Sequence, residues 1–405
     1  MASISEPPVE SFRLSQLIYD TRYRSMTIQV VAFILIMAGL YWLVNNTVQN
    51  LATLGKDFNF GFLGSRAGYD INQRLVEYSS ASTHGRAAFV GILNTLLVAF
   101  VGCILATIIG VIAGVLRLSN NWIVARIMGV YVETFRNIPT LLWIIIVFAI
   151  LTESTPSPRD FRGDAPEASM ALFDTIAVTN RGIYTPAPVF GDGSLILGLV
   201  FLLSIVGMFV FRRFARKRQA ETGQILPVFW VSLAIFFLPS ILFYFILGGP
   251  ITLDYPTLQG FNFQGGTHLR GSFIALTLAL ALYTGAFIAE NVRGGILAIS
   301  KGQTEAASAL GLRPNRVMNL VVLPQAMRVI IPPLISQYLN LTKNSSLAIA
   351  VGYMDVRSTL GGITINQTGR ELEGMLLLGV FYLITSLIIS GVMNVYNNSV
   401  KLKER

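Results

Sequence analysis

Lys343 stands inside an apolar run at about 327–350, with Asn340, Asn344, Ser345 and Ser346 beside it. An ammonium group is costly in hydrocarbon and needs a cavity or a partner. Two chemistries fit. Lys343 can hold the α-carboxylate of a zwitterionic solute, or serve structure by pairing with Glu290 or with backbone carbonyls at a helix break. Glu133 and Arg136 are spaced to share a helix face. There they pair with each other, or line an inner vestibule, or pack on another subunit. Little else in the chain is reactive. His84 and His268 are the only histidines and Cys103 the only cysteine, which excludes an HExxH zinc site and a disulfide framework. No lysine precedes Ser or Thr, so there is no GxxxxGK[ST] phosphate loop. A membrane enzyme lacks its constellation here. A gradient-driven transporter lacks its deep acids, since Glu290 lies near the inner end of one run and Glu133 before another.

These side chains must be positioned by membrane helices. Apolar types make up 53% of the 405 residues and charged types 13%, about half the ~25% usual in soluble domains. Mean hydropathy is +0.62. The apolar residues come in eight blocks, at about 28–45, 90–115, 140–152, 193–211, 225–247, 272–291, 327–350 and 375–396, each near the ~20 residues that cross a bilayer. The third is short, so its helix is expected to borrow turns from 121–139, with Pro139 setting a kink. The seventh is expected to be interrupted by Pro332, Pro333 and Lys343. Gly110 and Gly114 form a GxxxG in the second, a close-packing signal without substrate meaning.

The net charge of +9 is spread over short loops, which indicates membrane orientation and no nucleic-acid partner. With both termini inside, 19 Lys/Arg fall on inner segments and 10 on outer ones, leaving Lys343 within a span. "RRFARKRQ" (212–219) is the strongest single cue. The N-terminus is polar for roughly its first 27 residues and shows no clear cleavage site, so the first span is expected to be uncleaved. Outer segments at about 46–89 and 153–192 are expected to be loops without a core of their own.

One inner stretch breaks the apolar pattern: "EAASALGLRPNRVMNLVVLPQA" (305–326). Ser300 and Gln303 have capping-box spacing, which starts a helix near Lys301. Ala306, Ala307 and Ala309 continue it, Gly311 supplies a left-handed stop, and Pro314 opens the next helix. Such a helix suits insertion into a partner's groove, or is an ordinary inter-span loop.

"EAASALG" with "VLP" (322–324) closely resembles the EAA loop of ABC-importer permeases. "YVETFRNIPTLL" (131–142), "AFIAENVRGGILAISKGQTEAASALG" (286–311) and "LPQAMRVIIPPLISQYLNLTKNSSLA" (323–348) look like the polar-amino-acid branch. The extra spans and "NLTKNSSLA" resemble the larger permease subunit of general L-amino-acid importers. The resemblance implies an all-α integral membrane protein with a type I ABC-importer permease-like core, in a bacterial inner membrane. Residues 1–84 would hold a tail, the first span and an outer loop. Residues 85–396 would form the permease domain, with an outer insertion at about 153–192 and a coupling loop at about 293–325, and 397–405 a tail.

The implied function is ATP-driven import of amino acids, without catalysis or cofactor in this chain. ATP-Mg would sit on two partner ATP-binding subunits, beside a second, homologous permease chain and a periplasmic binding protein. Glu305, Ala306, Ala307, Gly311 and Arg313 would carry ATPase coupling, with Arg313 and Arg316 at the rim of the contact or on lipid phosphates. Asn340, Lys343, Asn344, Ser345, Ser346, Glu133 and Arg136 would line the substrate pathway. Pro139, Gly110, Gly114 and Pro324 would be structural. Relatives often carry Asp where this chain has Asn344, which weakens any acidic contact to a basic substrate.

Overall fold

A computed structural model describes residues 16–53, 55, 57–163 and 166–400. The expected tails before residue 16 and after 400 lie outside the described residues. The chain divides into two compact units, Met1–Ser65 and Arg66–Arg405. The first unit is dominated by one helix, Thr21–Thr53. Phe33, Ile34, Leu35 and Ile36 are all exposed on it, so it is apolar on every side and suits lipid contact.

The second unit contains seven more helices long and apolar enough to cross a membrane, making eight among the described residues. Its centre is the helix Gly271–Leu297, whose Ala275, Ala279, Ala281, Ala286 and Ala289 are fully buried. Small residues let neighbouring backbones approach closely where no hydrophobic effect drives helices together. The helix His84–Leu116 uses this at Gly110 and Gly114. A Cβ on Gly110 would sit 2.5 Å from Ile288 Cβ, and one on Gly114 2.6 Å from the Ala289 carbonyl oxygen. Leu276, Leu280, Ile288 and Leu341 belong to the same buried core.

The third span differs from expectation. Trp122–Asn137 is a separate helix, capped by the Asn121 side chain, and contributes no turns to Thr140–Ser154. Ile138 is extended (φ −105°, ψ 135°). The ring of Pro139 disfavours the helical region for the residue before it. Phe135 and Trp143 stack across the break, with centroids 4.0 Å apart. The seventh span also differs. The helix Leu323–Asn344 runs through Pro332 and Pro333 without interruption and gives way only at Ser345, to a 3-10 segment Ser345–Val351. Proline frees the carbonyls four residues earlier, a loss that intramembrane helices tolerate when neighbours re-satisfy them.

The loops expected to lack a core have small ones. Strands Ala177–Thr179, Gly182–Thr185 and Thr267–Arg270 form an antiparallel sheet, with Tyr184 opposite His268. Strands Ala187–Phe190 and Ile251–Asp254 form a second, and Thr257–Gln259 and Asn262–Gln264 a third. Ala177, Tyr184 and Phe263 are buried together beneath them. Residues 66–83 bury Ala67, Ile71 and Tyr78 against Ala87 and Val90, and Asn72 accepts a hydrogen bond from Arg270 Nε at 2.8 Å. The membrane portion is all-helical. The β structure gathers at one end, called here the β end. The opposite end carries Arg212–Arg218 and the 298–326 turn, and is called the basic end.

Candidate functional site

The basic end presents the polar stretch as a helix, Lys301–Ala309. Ser300 occupies the N-cap but its side chain makes no capping bond, so the expected capping box is absent; only its carbonyl accepts, from Gln303 N at 3.1 Å. The C-terminus closes as a Schellman motif. Gly311 has φ +78°, its N–H donates to Ser308 O at 2.9 Å, and Leu312 N donates to Ala307 O at 3.4 Å. Pro314 then opens a short helix, Pro314–Val317, and a π-helical turn Met318–Val322 leads to the next span.

Two residues of this helix fall where the sequence did not place them. Ala307 is only 6% exposed and packs against Val317, Val322, Ile296 and Ile299, so it faces the chain's own core. Leu310 is 83% exposed at the helix end. No sequence feature had marked it, although a leucine on a polar, capped turn is itself a signal. Glu305, Ala306, Ala309 and Arg313 are exposed as well. Pro324 is exposed in the first turn of Leu323–Asn344.

Behind the turn, Glu290 bonds Arg293 at 2.9 Å and also Arg117, which follows the His84–Leu116 helix. The carboxylate is thereby occupied, and the suggested Lys343–Glu290 pair does not form. Arg293 was legible as an i+3 neighbour of Glu290; Arg117, far away in sequence, was not. Nor do Glu133 and Arg136 pair. The Arg136 guanidinium lies over the Phe287 ring, 5.2 Å from its centroid, a cation–π contact across two helices. Both side chains are exposed.

Lys343 sits on an exposed helix face with Val329, Pro333, Ser336 and Asn340, spaced by three and four residues. Among the described residues it has no carboxylate within pairing distance. Asn344 and Ser346 are half-buried beside it. Ser345 is not on this face: it is fully buried and its hydroxyl donates to Thr342 O at 2.7 Å. A polar, unpaired face on a membrane helix needs water or protein against it.

Both histidines are built into structure. His84 opens a membrane helix, and its Nδ1 is 3.0 Å from Thr364 Oγ1. His268 stacks on Tyr184 at 4.0 Å, and burial pushes its pKa down.

The signature of the family described as "binding-protein-dependent transport system inner membrane component" matches residues 215–402. Over the whole of both chains, this protein is 58% identical to a glutamate/glutamine/aspartate/asparagine transport system permease protein of Rhodobacter capsulatus. It is 45% identical to a general L-amino acid transport system permease protein of Rhizobium johnstonii, covering 98% of this chain and 96% of that one. A putative amino-acid ABC transporter permease protein of Escherichia coli is 41% identical, over 94% and 95% of the two chains. The eight apolar helices, the EAA turn at the basic end and full-length relatedness agree: the chain belongs to the binding-protein-dependent transport system inner membrane components, as a multi-pass permease subunit of an ABC transporter.

Proposed function

We propose that this permease imports amino acids of broad specificity across the inner membrane, driven by ATP that a separate subunit hydrolyses. The observation that carries this reading is identity of 58% along the full length of a permease named for four amino acids. Uptake in proteoliposomes containing the assembled transporter tests it. ATP inside the vesicle, with binding protein outside, is expected to drive accumulation of labelled glutamate or glutamine. Accumulation driven by a proton or sodium gradient without ATP would sink it.

The basic end is the cytoplasmic side in this reading, as its lysines and arginines favour. The Lys301–Ala309 helix docks on the ATP-binding subunit through Glu305, Ala306, Leu310 and Arg313, and moves as a rigid lever because Ala307 roots it in the chain's core. The exposed face bearing Asn340 and Lys343 meets a second, homologous permease chain across the solute pathway. Glu133 and Arg136 border the inner vestibule. Two ATP-binding subunits and a periplasmic binding protein complete the assembly.

A further inference from the structure

Helices Ser194–Thr222 and Val228–Ile246 form an antiparallel hairpin, joined at Phe201–Phe236 by an edge-on ring contact of 5.4 Å. Their outer surfaces do not close on each other. A crevice of about 240 Å³ opens between Met208 and Arg212 on one helix and Phe229, Ser232 and Leu233 on the other. It shares Phe236 and Phe237 with a larger apolar hollow of about 590 Å³ that continues toward Tyr244 and Phe190. Arg212 marks the mouth of the smaller crevice, where its Nε donates to Ser232 Oγ at 3.3 Å. Arg216, one turn on, shares its helix face. Among the described residues no carboxylate pairs with Arg212, Arg213 or Arg216, whereas Lys217 has Glu221.

Depth fits the charge. From Ser194 to Arg212 the helix rises about 27 Å, close to the ~30 Å of bilayer hydrocarbon. The guanidiniums therefore lie at headgroup level, above an apolar slot. The crevice, of about 240 Å³, is smaller than a single turn of a helix, which at roughly 10–12 Å across and 5.4 Å pitch fills about 500 Å³. A flexible chain with an anionic head matches both parts, and arginine binds phosphate in a forked geometry that lysine lacks.

We propose that this crevice binds one anionic phospholipid of the leaflet at the basic end. One acyl chain lies between Met208, Phe229 and Phe236, and the phosphate rests on Arg212 and Arg216. The hairpin is thus anchored by a bound lipid as well as by its own packing.

Native mass spectrometry of the intact transporter, delipidated and titrated with dioleoylphosphatidylglycerol or dioleoylphosphatidylcholine, tests this. Phosphatidylglycerol is expected to be retained about tenfold more strongly, the effect of one charge-assisted contact. Arg212→Gln should erase that preference, while Arg218→Gln, the same charge change farther along, should leave it intact. Leu233→Trp, which narrows the crevice without touching charge, should lower retention. Equal retention of the two lipids, equal loss with Arg212→Gln and Arg218→Gln, or full retention with Leu233→Trp would each overturn the proposal. So would copper-phenanthroline oxidation of Leu233→Cys to a disulfide with a cysteine introduced on a helix of another subunit.

Discussion

Glu290 holds two arginines from different helical segments, Arg117 beyond the end of His84–Leu116 and Arg293 one turn along its own helix. The three groups tie the central helix to its largest packing partner at the end where the polar turn begins. Hydrogen bonds to charged groups contribute about 1.5–3 kcal/mol. Glu290→Ala leaves both arginines unpaired and is expected to lower the melting temperature of the purified complex. Glu290→Gln should cost less. A melting curve unchanged in Glu290→Ala would show that the cluster contributes nothing.

Gly311→Val tests the stop of the turn helix. Its φ of +78° costs an L-residue about 1–2 kcal/mol, and more for a β-branched one. The variant should still reach the membrane but lose binding-protein-stimulated ATPase activity, measured on the reconstituted transporter.

Ala307 and Leu310 separate packing from contact. Ala307→Trp overfills the space against Val317 and Val322, at about 1–3 kcal/mol, and should reduce the thermal stability of this chain. Leu310→Ser removes an exposed side chain and should leave stability alone while weakening the ATP-binding subunit. Burial of a leucine gives about 1.5–3 kcal/mol, or roughly 10–100-fold in affinity. Co-purification and titration with that subunit read both. Unchanged affinity in Leu310→Ser would remove this residue from the interface.

Lys343→Met addresses the exposed polar face. The complex should assemble normally, because Lys343 has no acidic partner among the described residues of the chain. Uptake should fall steeply if the ammonium meets the solute carboxylate, a contact of roughly 1.5–3 kcal/mol. Wild-type uptake by the variant is the outcome that leaves Lys343 with no part in transport.

Asp355 carries a pH dependence. It is fully buried at the β end, outside the spans; Ser358 N and Oγ donate to its Oδ1 at 2.8 Å, and Oδ2 has no partner. Burial pushes its pKa up from 3.8 to about 6, against the opposing pull of Ser358 and Arg357. The folded state therefore favours the protonated acid. Its stabilising contribution is complete below about pH 4 and is lost as pH rises through about 6. Asp355→Asn retains an acceptor for Ser358 and cannot ionise. The melting temperature of the native protein should fall relative to Asp355→Asn between pH 5 and pH 7.5. Parallel curves would show that Asp355 does not titrate there.

What the sequence determined by itself was local. Hydrophobic runs of bilayer length mark eight spans, because an unsatisfied backbone cannot cross hydrocarbon and apolar side chains must cover each crossing helix. Gly311 ends the turn helix because it acts through backbone geometry within one or two residues, whereas the kink expected at Pro139 is a full break between Trp122–Asn137 and Thr140–Ser154. Long-range pairing was decided only by the fold. Ala307 lies in the polar turn helix and Leu310 caps its end, and which of them faces inward depends on Val317 and Val322 folding back beneath the helix. The sequence suggested Lys343 as a partner for Glu290, and the packing of His84–Leu116 through Gly110 and Gly114 brought Arg117 instead. Likewise, strand Gly182–Thr185 pairs with Thr267–Arg270 after two intervening spans. Short strands carry almost no periodic signal of their own, so only the return of the chain to the β end brings their edges within hydrogen-bonding reach.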